Sequence, residues 1–152
     1  MSSYQKEVQV RFGHCDPATF VYYPRYFEML NGFIEDWFEE GLEASFPGLM
    51  HHQNIMAPTV HLDTDFPNPS RFGDRLTFKL VVAKIGRSSV NLEIEGSCQG
   101  QPRVTFNQAI VFMSASDRNA VAIPPDIVRR LKRQTVVVLQ HGQRAGDEHA
   151  EA

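Results

Sequence analysis

Asp16 is the residue of this sequence best placed to do chemistry. Its carboxylate lies in the segment 10–26, VRFGHCDPATFVYYPRY, between a predicted strand and a predicted helix. Gly13 and the Asp16-Pro17 step interrupt the strand, and Pro24 suits the first position of a helix. A carboxylate on a turn that faces the start of a helix suits acyl chemistry. The alternative is that Asp16 only forms the turn before the proline.

The motif around Asp16 resembles the signature of the 4-hydroxybenzoyl-CoA thioesterase family of hotdog-fold proteins. That signature runs aromatic-Gly-x-Cys-Asp-Pro-Ala-Gly-x-Val-x-Tyr-Pro-x-Tyr, and the matching residues are Phe12, Gly13, Cys15, Asp16, Pro17, Ala18, Val21, Tyr23, Pro24 and Tyr26. A weaker likeness extends the resemblance over residues 6–133, through the segments Asp65-Phe66, Phe72-Gly73-Asp74-Arg75-Leu76 and Gly86-Arg87-Ser88-Ser89. Thr19 stands where the family has glycine. We therefore do not assign the acyl group of the family's named substrate to this chain.

The resemblance implies hydrolysis of a thioester. A thiolate leaves readily because the pKa of its thiol is about 8.5 by analogy with cysteine, so the reaction needs no strong general acid. By resemblance Asp16 either attacks the acyl carbon, giving a mixed anhydride, or deprotonates a water. The backbone N–H of Tyr23 is expected to stabilise the developing negative charge on the thioester oxygen, since Pro24 has no N–H.

Coenzyme A is the implied carrier, as part of the substrate, and no separate cofactor is expected. Its phosphates are assigned by resemblance to side chains around the turn after Gly86, namely Lys84, Arg87, Ser88 and Ser89. The alternative for these residues is an ordinary charged β-turn. A small aromatic or medium-chain acyl group is expected, in a pocket lined by Thr19, Phe20, Tyr22, Tyr23, Pro24, Met56 and Phe66.

Two other functions stay open on the residues alone. A hydratase or dehydratase of acyl thioesters would need a histidine and a carboxylate across a cleft, and His61 or His14 could supply the imidazole. A noncatalytic acyl-CoA binding protein is the second alternative. Cys15 is not expected to act as a nucleophile with His14, because adjacent residues of an extended segment point to opposite faces.

Hydrophobic periodicity predicts the elements that position Asp16. Apolar residues at helical spacing predict one long helix from Pro24 to Glu40, which Gly41 ends. A loop containing His51, His52 and Asn54 follows. Twofold alternation then predicts four strands, over Val60–Phe66, Leu76–Val82, Val90–Ile94 and Val104–Phe112, after a first strand with Val8, Val10 and Phe12. The order β-α-β-β-β-β predicts an α+β protein with a five-stranded antiparallel sheet, which the resemblance makes a hotdog fold wrapped around the helix.

Composition bounds the remaining possibilities. The 152 residues are 42% hydrophobic, enough for one domain, assigned to 1–133 with a short helix over Asp126–Arg133 and a largely disordered tail over 134–152. A net charge of −3 argues against a nucleic-acid partner, and no apolar run predicts a membrane segment or a secretion signal, so a cytoplasmic location is expected.

The cysteine and histidine content predicts neither a disulfide framework nor a metal site. Cys15 and Cys98 are too few for the first, and no third ligand accompanies His61 and Asp63. A single hotdog unit leaves a strand edge uncovered, so we expect a homo-oligomer, a dimer at minimum and by resemblance a tetramer.

Overall fold

A five-stranded antiparallel sheet curves around one long helix in the computed structural model, which describes residues 3–135. In chain order the strands are β1 (Tyr4–Gln9), β2 (Ile55–Met56), β3 (Thr59–Asp65), β4 (Arg75–Ile85), β5 (Ser89–Cys98), β6 (Gln101–Val111) and β7 (Met113–Ser114). The sheet has the order β1-β4-β5-β6-β3, and β2 pairs with β7 in a separate two-stranded ladder. The predicted α+β hotdog arrangement is therefore confirmed.

The central helix follows the predicted limits closely. Helix α1 (Pro24–Asp36) continues through one wider π turn, Trp37–Gly41, in which the Leu42 N–H donates to the Trp37 carbonyl. The apolar stripe of α1 packs on the inner face of the sheet, where the fully buried Phe78 and Phe106 meet it. The short C-terminal helix α3 (Pro125–Lys132) is also present, and buries Ile127 and Leu131.

Two local predictions were wrong. The first strand ends at Gln9, and Phe12 is 76% exposed in a 3₁₀ turn that the His14 N–H closes by donating to the Arg11 carbonyl. The segment predicted as a loop around His51 and His52 is helix α2 (Phe46–Gln53). The Ser45 hydroxyl caps its start by accepting from an N–H of the first turn, and Asn54 ends it at a left-handed φ of 55°.

The inner face of β6 carries one polar side chain among apolar ones. Val104, Phe106 and Ile110 are buried there, as the alternation predicts, and Gln108 is buried beside them. Phe112, just beyond the strand, is buried as well. The Gln108 carboxamide therefore sits inside the apolar layer between sheet and helix.

The chain remains packed up to the last residues that the structure describes. Gln134 and Thr135 are buried, and the Trp37 indole N–H donates to the Gln134 side chain over 3.0 Å. The predicted disorder over 134–152 falls almost entirely outside the described residues. No helix among residues 3–135 is long and apolar enough to cross a membrane.

Candidate active site

A tight hairpin between β1 and α1 holds Asp16. The Asp16 N–H donates to the Phe20 carbonyl over 2.8 Å, and Cys15 bridges to Val21. One carboxylate oxygen, Oδ1, accepts from the N–H groups of Ala18 (2.9 Å) and Phe20 (3.2 Å). The other oxygen, Oδ2, accepts no hydrogen bond from residues 3–135. Asp16 therefore forms the turn through one oxygen and keeps the second available.

Thr19 occupies the position of this hairpin that requires a left-handed backbone conformation. Its φ is 68°, in the left-handed region that a β-branched residue adopts only at a cost. Glycine adopts this conformation without strain, which explains why glycine suits the position. In this chain the threonine adopts the same left-handed conformation. Its N–H donates to the Asp16 carbonyl, so the turn is closed despite the strain.

The segment 70–74 supports the hairpin from outside. The Val21 N–H donates to the Ser70 carbonyl and the Phe72 N–H donates to the Thr19 carbonyl. Asp74 anchors the segment by accepting from the Arg71 N–H (2.9 Å) and from Arg103 of β6 (2.7 Å). Burial acts to raise the pKa of Asp74, but these two donors outweigh it and hold the pKa below its ordinary value.

Two backbone N–H groups at the start of α1 differ in whether they have an acceptor. The Tyr22 N–H already has an acceptor, because it donates to the His14 carbonyl over 2.9 Å. Within residues 3–135 the Tyr23 N–H has no acceptor, and Pro24 follows it at the first helical position. A free N–H at a helix start is a ready site for a developing negative charge.

Exposed aromatic side chains surround this helix start. The Tyr23 ring meets Phe66 edge to face at 6.2 Å and Tyr22 at 5.6 Å, and all three are about half exposed. Phe20 lies on the hairpin, where the Arg71 guanidinium stacks over its ring at 5.1 Å. The structure thus brings Asp16, Thr19 and Phe20 together on the hairpin, and Tyr22, Tyr23, Pro24 and Phe66 together at the adjoining helix start.

Met56 lies apart from that aromatic group, in a cavity of about 290 Å³ farther along α1. The cavity lies between α1, α2 and β6, and most of its wall is apolar. The predicted acyl-pocket residues therefore fall into two groups, one at the start of α1 and one deeper along it.

The residues assigned to coenzyme A lie at the other end of β4. Lys84 and Arg87 are exposed, Ser88 and Ser89 are partly buried, and the turn closes through the Gly86 N–H and the Ser89 carbonyl at 2.7 Å. Neither Lys84 nor Arg87 forms an ion pair within residues 3–135. The two cations are therefore open to an anion.

The histidine and cysteine side chains considered for hydratase or nucleophilic chemistry contact other groups of the protein. His14 Nδ1 accepts from the Arg11 N–H, and burial lowers the pKa of the ring. Burial raises the pKa of the Cys15 thiol, which contacts the Arg11 carbonyl at 3.6 Å. His61 pairs with Asp63 at 3.0 Å on the exposed edge strand β3. Across the described part of the chain, no three metal-ligating side chains converge.

Two structural features were not predicted from the sequence. The Asp74–Arg103 pair, which holds the segment behind the hairpin, joins residues far apart in sequence, and no local pattern marks it. Gln108 did carry a signal, because it is the polar residue at an inward position of an otherwise apolar alternation.

Comparison with known proteins agrees with the fold and the motif. The family model described as the thioesterase-like superfamily matches residues 10–131. A 1,4-dihydroxy-2-naphthoyl-CoA hydrolase from Nostoc punctiforme is 32% identical over 129 residues, covering 81% of this chain and 82% of the relative.

Two solved structures share the fold at lower identity. A 1,4-dihydroxy-2-naphthoyl-CoA thioesterase from Synechocystis superposes with a TM-score of 0.78 at 21% identity, over 86% of this chain and 96% of that one. An Asp-to-Asn mutant of 4-hydroxybenzoyl-CoA thioesterase, complexed with 4-hydroxybenzoyl-CoA, gives a TM-score of 0.76 at 20% identity, over 86% and 99%. The chain belongs to the thioesterase-like superfamily, and it is a hotdog-fold thioester hydrolase.

Proposed function

We propose that this protein hydrolyses an acyl-CoA with a small aromatic or medium-chain acyl group, using the Asp16 carboxylate and the Tyr23 N–H. The observation that carries the proposal is that the two oxygens of the Asp16 carboxylate differ in their hydrogen bonding. Oδ1 is fixed by two backbone donors, whereas Oδ2 is free of protein partners within residues 3–135. A group held in this way is oriented without being neutralised.

The reaction then needs two protein functions. Either Asp16 attacks the carbonyl carbon, so that the CoA thiolate leaves and water hydrolyses the anhydride, or Asp16 takes a proton from the attacking water. In both routes the Tyr23 N–H faces the carbonyl oxygen as its negative charge develops. Loss of one such donor typically raises a barrier by about 2.7 to 4 kcal/mol.

The proposal extends to a dimer with shared sites. Asp16 and Arg87 flank opposite ends of the sheet, whereas one acyl-CoA has to meet both. Strand β3 is an uncovered edge with Val60 57% exposed. Antiparallel pairing of two β3 edges about a twofold axis would bring the β4–β5 turn of the second copy towards Asp16 of the first. A tetramer would add contacts between such dimers.

The experiment is a thiol-release assay on a panel of acyl-CoAs with Asp16→Asn. Asparagine keeps the oxygen that accepts from Ala18 and Phe20, so the hairpin is retained, and hydrolysis should fall by about a thousandfold with binding little changed. Asp117→Asn is the matched control. The Asp117 carboxylate accepts from the N–H two residues ahead, at 2.9 Å, in the same kind of turn.

Turnover by Asp16→Asn at the wild-type rate would refute the mechanism. An equal loss in Asp117→Asn would attribute the effect to turn stability instead of chemistry. Hydration of an enoyl-CoA without thiol release would refute hydrolysis itself.

A further inference from the structure

Arg103 lies at a bulge in β6, beside the loop segment 69–74 that precedes β4. Pro102 and Val104 on either side of it pair with residues of β5, whereas Arg103 has no partner in that ladder. A bulge of this kind bends its strand and turns the side chain of the extra residue in a new direction. The Arg103 side chain, only 12% exposed, reaches segment 69–74.

One nitrogen of Arg103 contacts three oxygens of the segment. Nη1 donates to the Asp74 carboxylate over 2.7 Å, to the Pro69 carbonyl over 3.1 Å and to the hydroxyl of the fully buried Ser70 over 3.4 Å. Pro69 and Asp74 are the first and last residues of the segment. A single guanidinium therefore fixes both ends of the loop to β6.

The same segment is bonded to the Asp16 hairpin on both sides of the carboxylate. Before Asp16, the Val10 N–H donates to the backbone carbonyl of the segment's last residue over 2.7 Å. After it, the Val21 N–H donates to the segment over 2.9 Å, and the Thr19 carbonyl accepts from it over 3.1 Å. The position of the carboxylate therefore depends on the loop that Arg103 holds.

The Asp74–Arg103 pair is better suited to fixing geometry than to adding stability. Removing two charges from water costs about as much free energy as their attraction returns, so a largely buried ion pair stabilises a fold little. The Arg103 Nε adds to this cost, because it is buried and has no acceptor among residues 3–135. A reacting group does need fixed geometry, since a displacement of about 1 Å can slow a reaction about a hundredfold.

We propose that Arg103 is a positioning residue for the reaction, which holds the Asp16 carboxylate in place through segment 69–74. This inference rests on the proposed function, because Arg103 acts through Asp16. Its Nη1 is occupied by protein oxygens, so its effect on the reaction passes through the backbone of the hairpin. Loss of such a residue lowers kcat and changes KM little, because the contacts that bind the substrate are retained.

The test is a double-mutant cycle of Arg103→Met and Asp16→Asn, read as thiol release from benzoyl-CoA and octanoyl-CoA. Arg103→Met keeps the aliphatic part of the side chain and removes the cation. Its kcat should fall at least about tenfold, with KM within about twofold of wild type. In the Asp16→Asn background the same change should cost less than about twofold, because the group that Arg103 positions is already lost.

Arg130→Met is the matched control. Arg130 is also mostly buried, at 26% exposure, and its guanidinium donates to the Leu42 carbonyl over 2.9 Å and pairs with Glu43 over 3.0 Å. It lies at the opposite end of α1 from the hairpin. Arg130→Met should therefore lose stability as Arg103→Met does and keep the kcat of wild type.

Amide hydrogen exchange reports on the hairpin without any substrate. The Ala18 and Phe20 N–H groups, which donate to Asp16, should exchange about tenfold faster in Arg103→Met and at the wild-type rate in Arg130→Met. This measurement tests the positioning even if the chemistry differs from that proposed.

A second variant covers the case in which Arg103→Met does not fold. Combining it with Asp74→Asn removes both charges and leaves an oxygen for the Arg71 N–H, so no buried carboxylate loses its partner. The same loss of kcat and the same faster exchange are expected.

A wild-type kcat in the folded Arg103 variants would overturn the inference. So would a loss that stays at its full size in the Asp16→Asn background, or unchanged exchange at Ala18 and Phe20. None of these results bears on the proposed function, which fails if Asp16→Asn alone releases thiol at the wild-type rate.

Discussion

Asp16 and Arg87 lie at opposite ends of β4. The hairpin that carries Asp16 is hydrogen-bonded to residues 70–73, just before the strand begins, and Arg87 follows where the strand ends. Arg75 and Lys84 are nine steps apart along this extended strand, which corresponds to about 30 Å. A thioester at Asp16 therefore meets its own subunit's Arg87 only at the far limit of its reach, and a second copy supplies the nearer cation in the proposed dimer.

Subunit mixing tests this arrangement. Asp16→Asn and Arg87→Glu are each expected to be impaired as homodimers, the second by about tenfold in kcat/KM through repulsion of the phosphates. Co-expression of the two variants should restore about a quarter of wild-type activity, since half of randomly paired dimers hold one intact site of two. Thiol release by the co-expressed mixture provides the measurement.

A mixture no more active than the average of the two variant homodimers would place both residues of a site in one subunit. Lys79→Glu is the control for charge reversal. Its side chain is exposed on the outer face of the sheet, far from the β4–β5 turn, and should leave kcat/KM unchanged.

Thr19→Gly should stabilise the protein. The φ of 68° strains a β-branched residue and suits glycine, although glycine also gains freedom in the unfolded chain. The net gain should be about 1 kcal/mol in urea unfolding. Thr77→Gly is the control, since Thr77 is an exposed residue in the extended β4 and its replacement should destabilise. A loss of stability in Thr19→Gly would mean that the threonine side chain contributes more than its backbone costs.

The contrast between Thr19 and Gln108 shows what sequence can and cannot predict here. The hairpin could be predicted because its chemistry is local, with a carboxylate that caps N–H groups two and four residues ahead and a position that demands positive φ. The helix and strands followed from periodicity, but α2 did not, because Pro47, Gly48 and two histidines mask a helix fixed by its caps. The environment of Gln108 could not be predicted, because its side-chain partner Thr59 comes from another strand, far away in the sequence.

Asp74 should stabilise the protein in a pH-dependent way. Its pKa in the folded protein lies below the ordinary value of 3.8, so the folded state favours the charged form. This contribution is fully present above pH 3.8 and is lost as the pH falls through the lower folded pKa. Asp74→Asn should therefore cost about 2 kcal/mol at pH 7, and the cost should shrink towards pH 2.

Urea unfolding of wild type and Asp74→Asn between pH 2 and pH 7 measures this difference. Asp117→Asn, at an exposed turn with no ion pair among residues 3–135, should show a much smaller change over the same range. A difference for Asp74→Asn that stays constant with pH would mean that the variant disturbs packing and not the charge interaction with Arg103.

Cys15 should prove dispensable for turnover although it directly precedes Asp16, the proposed catalytic residue. Burial raises the pKa of its thiol, and Asp16 and Asp74 add to the effect, so little thiolate forms at neutral pH. Cys15→Ala should keep kcat within about threefold of wild type, because the hairpin is closed by backbone hydrogen bonds that the substitution leaves intact. Alkylation by iodoacetamide at pH 7 should be slower than for a free cysteine and should accelerate as the pH rises. Rapid alkylation at pH 7 with matching loss of thiol release, absent in Cys15→Ala, would instead indicate a reactive thiolate at the site.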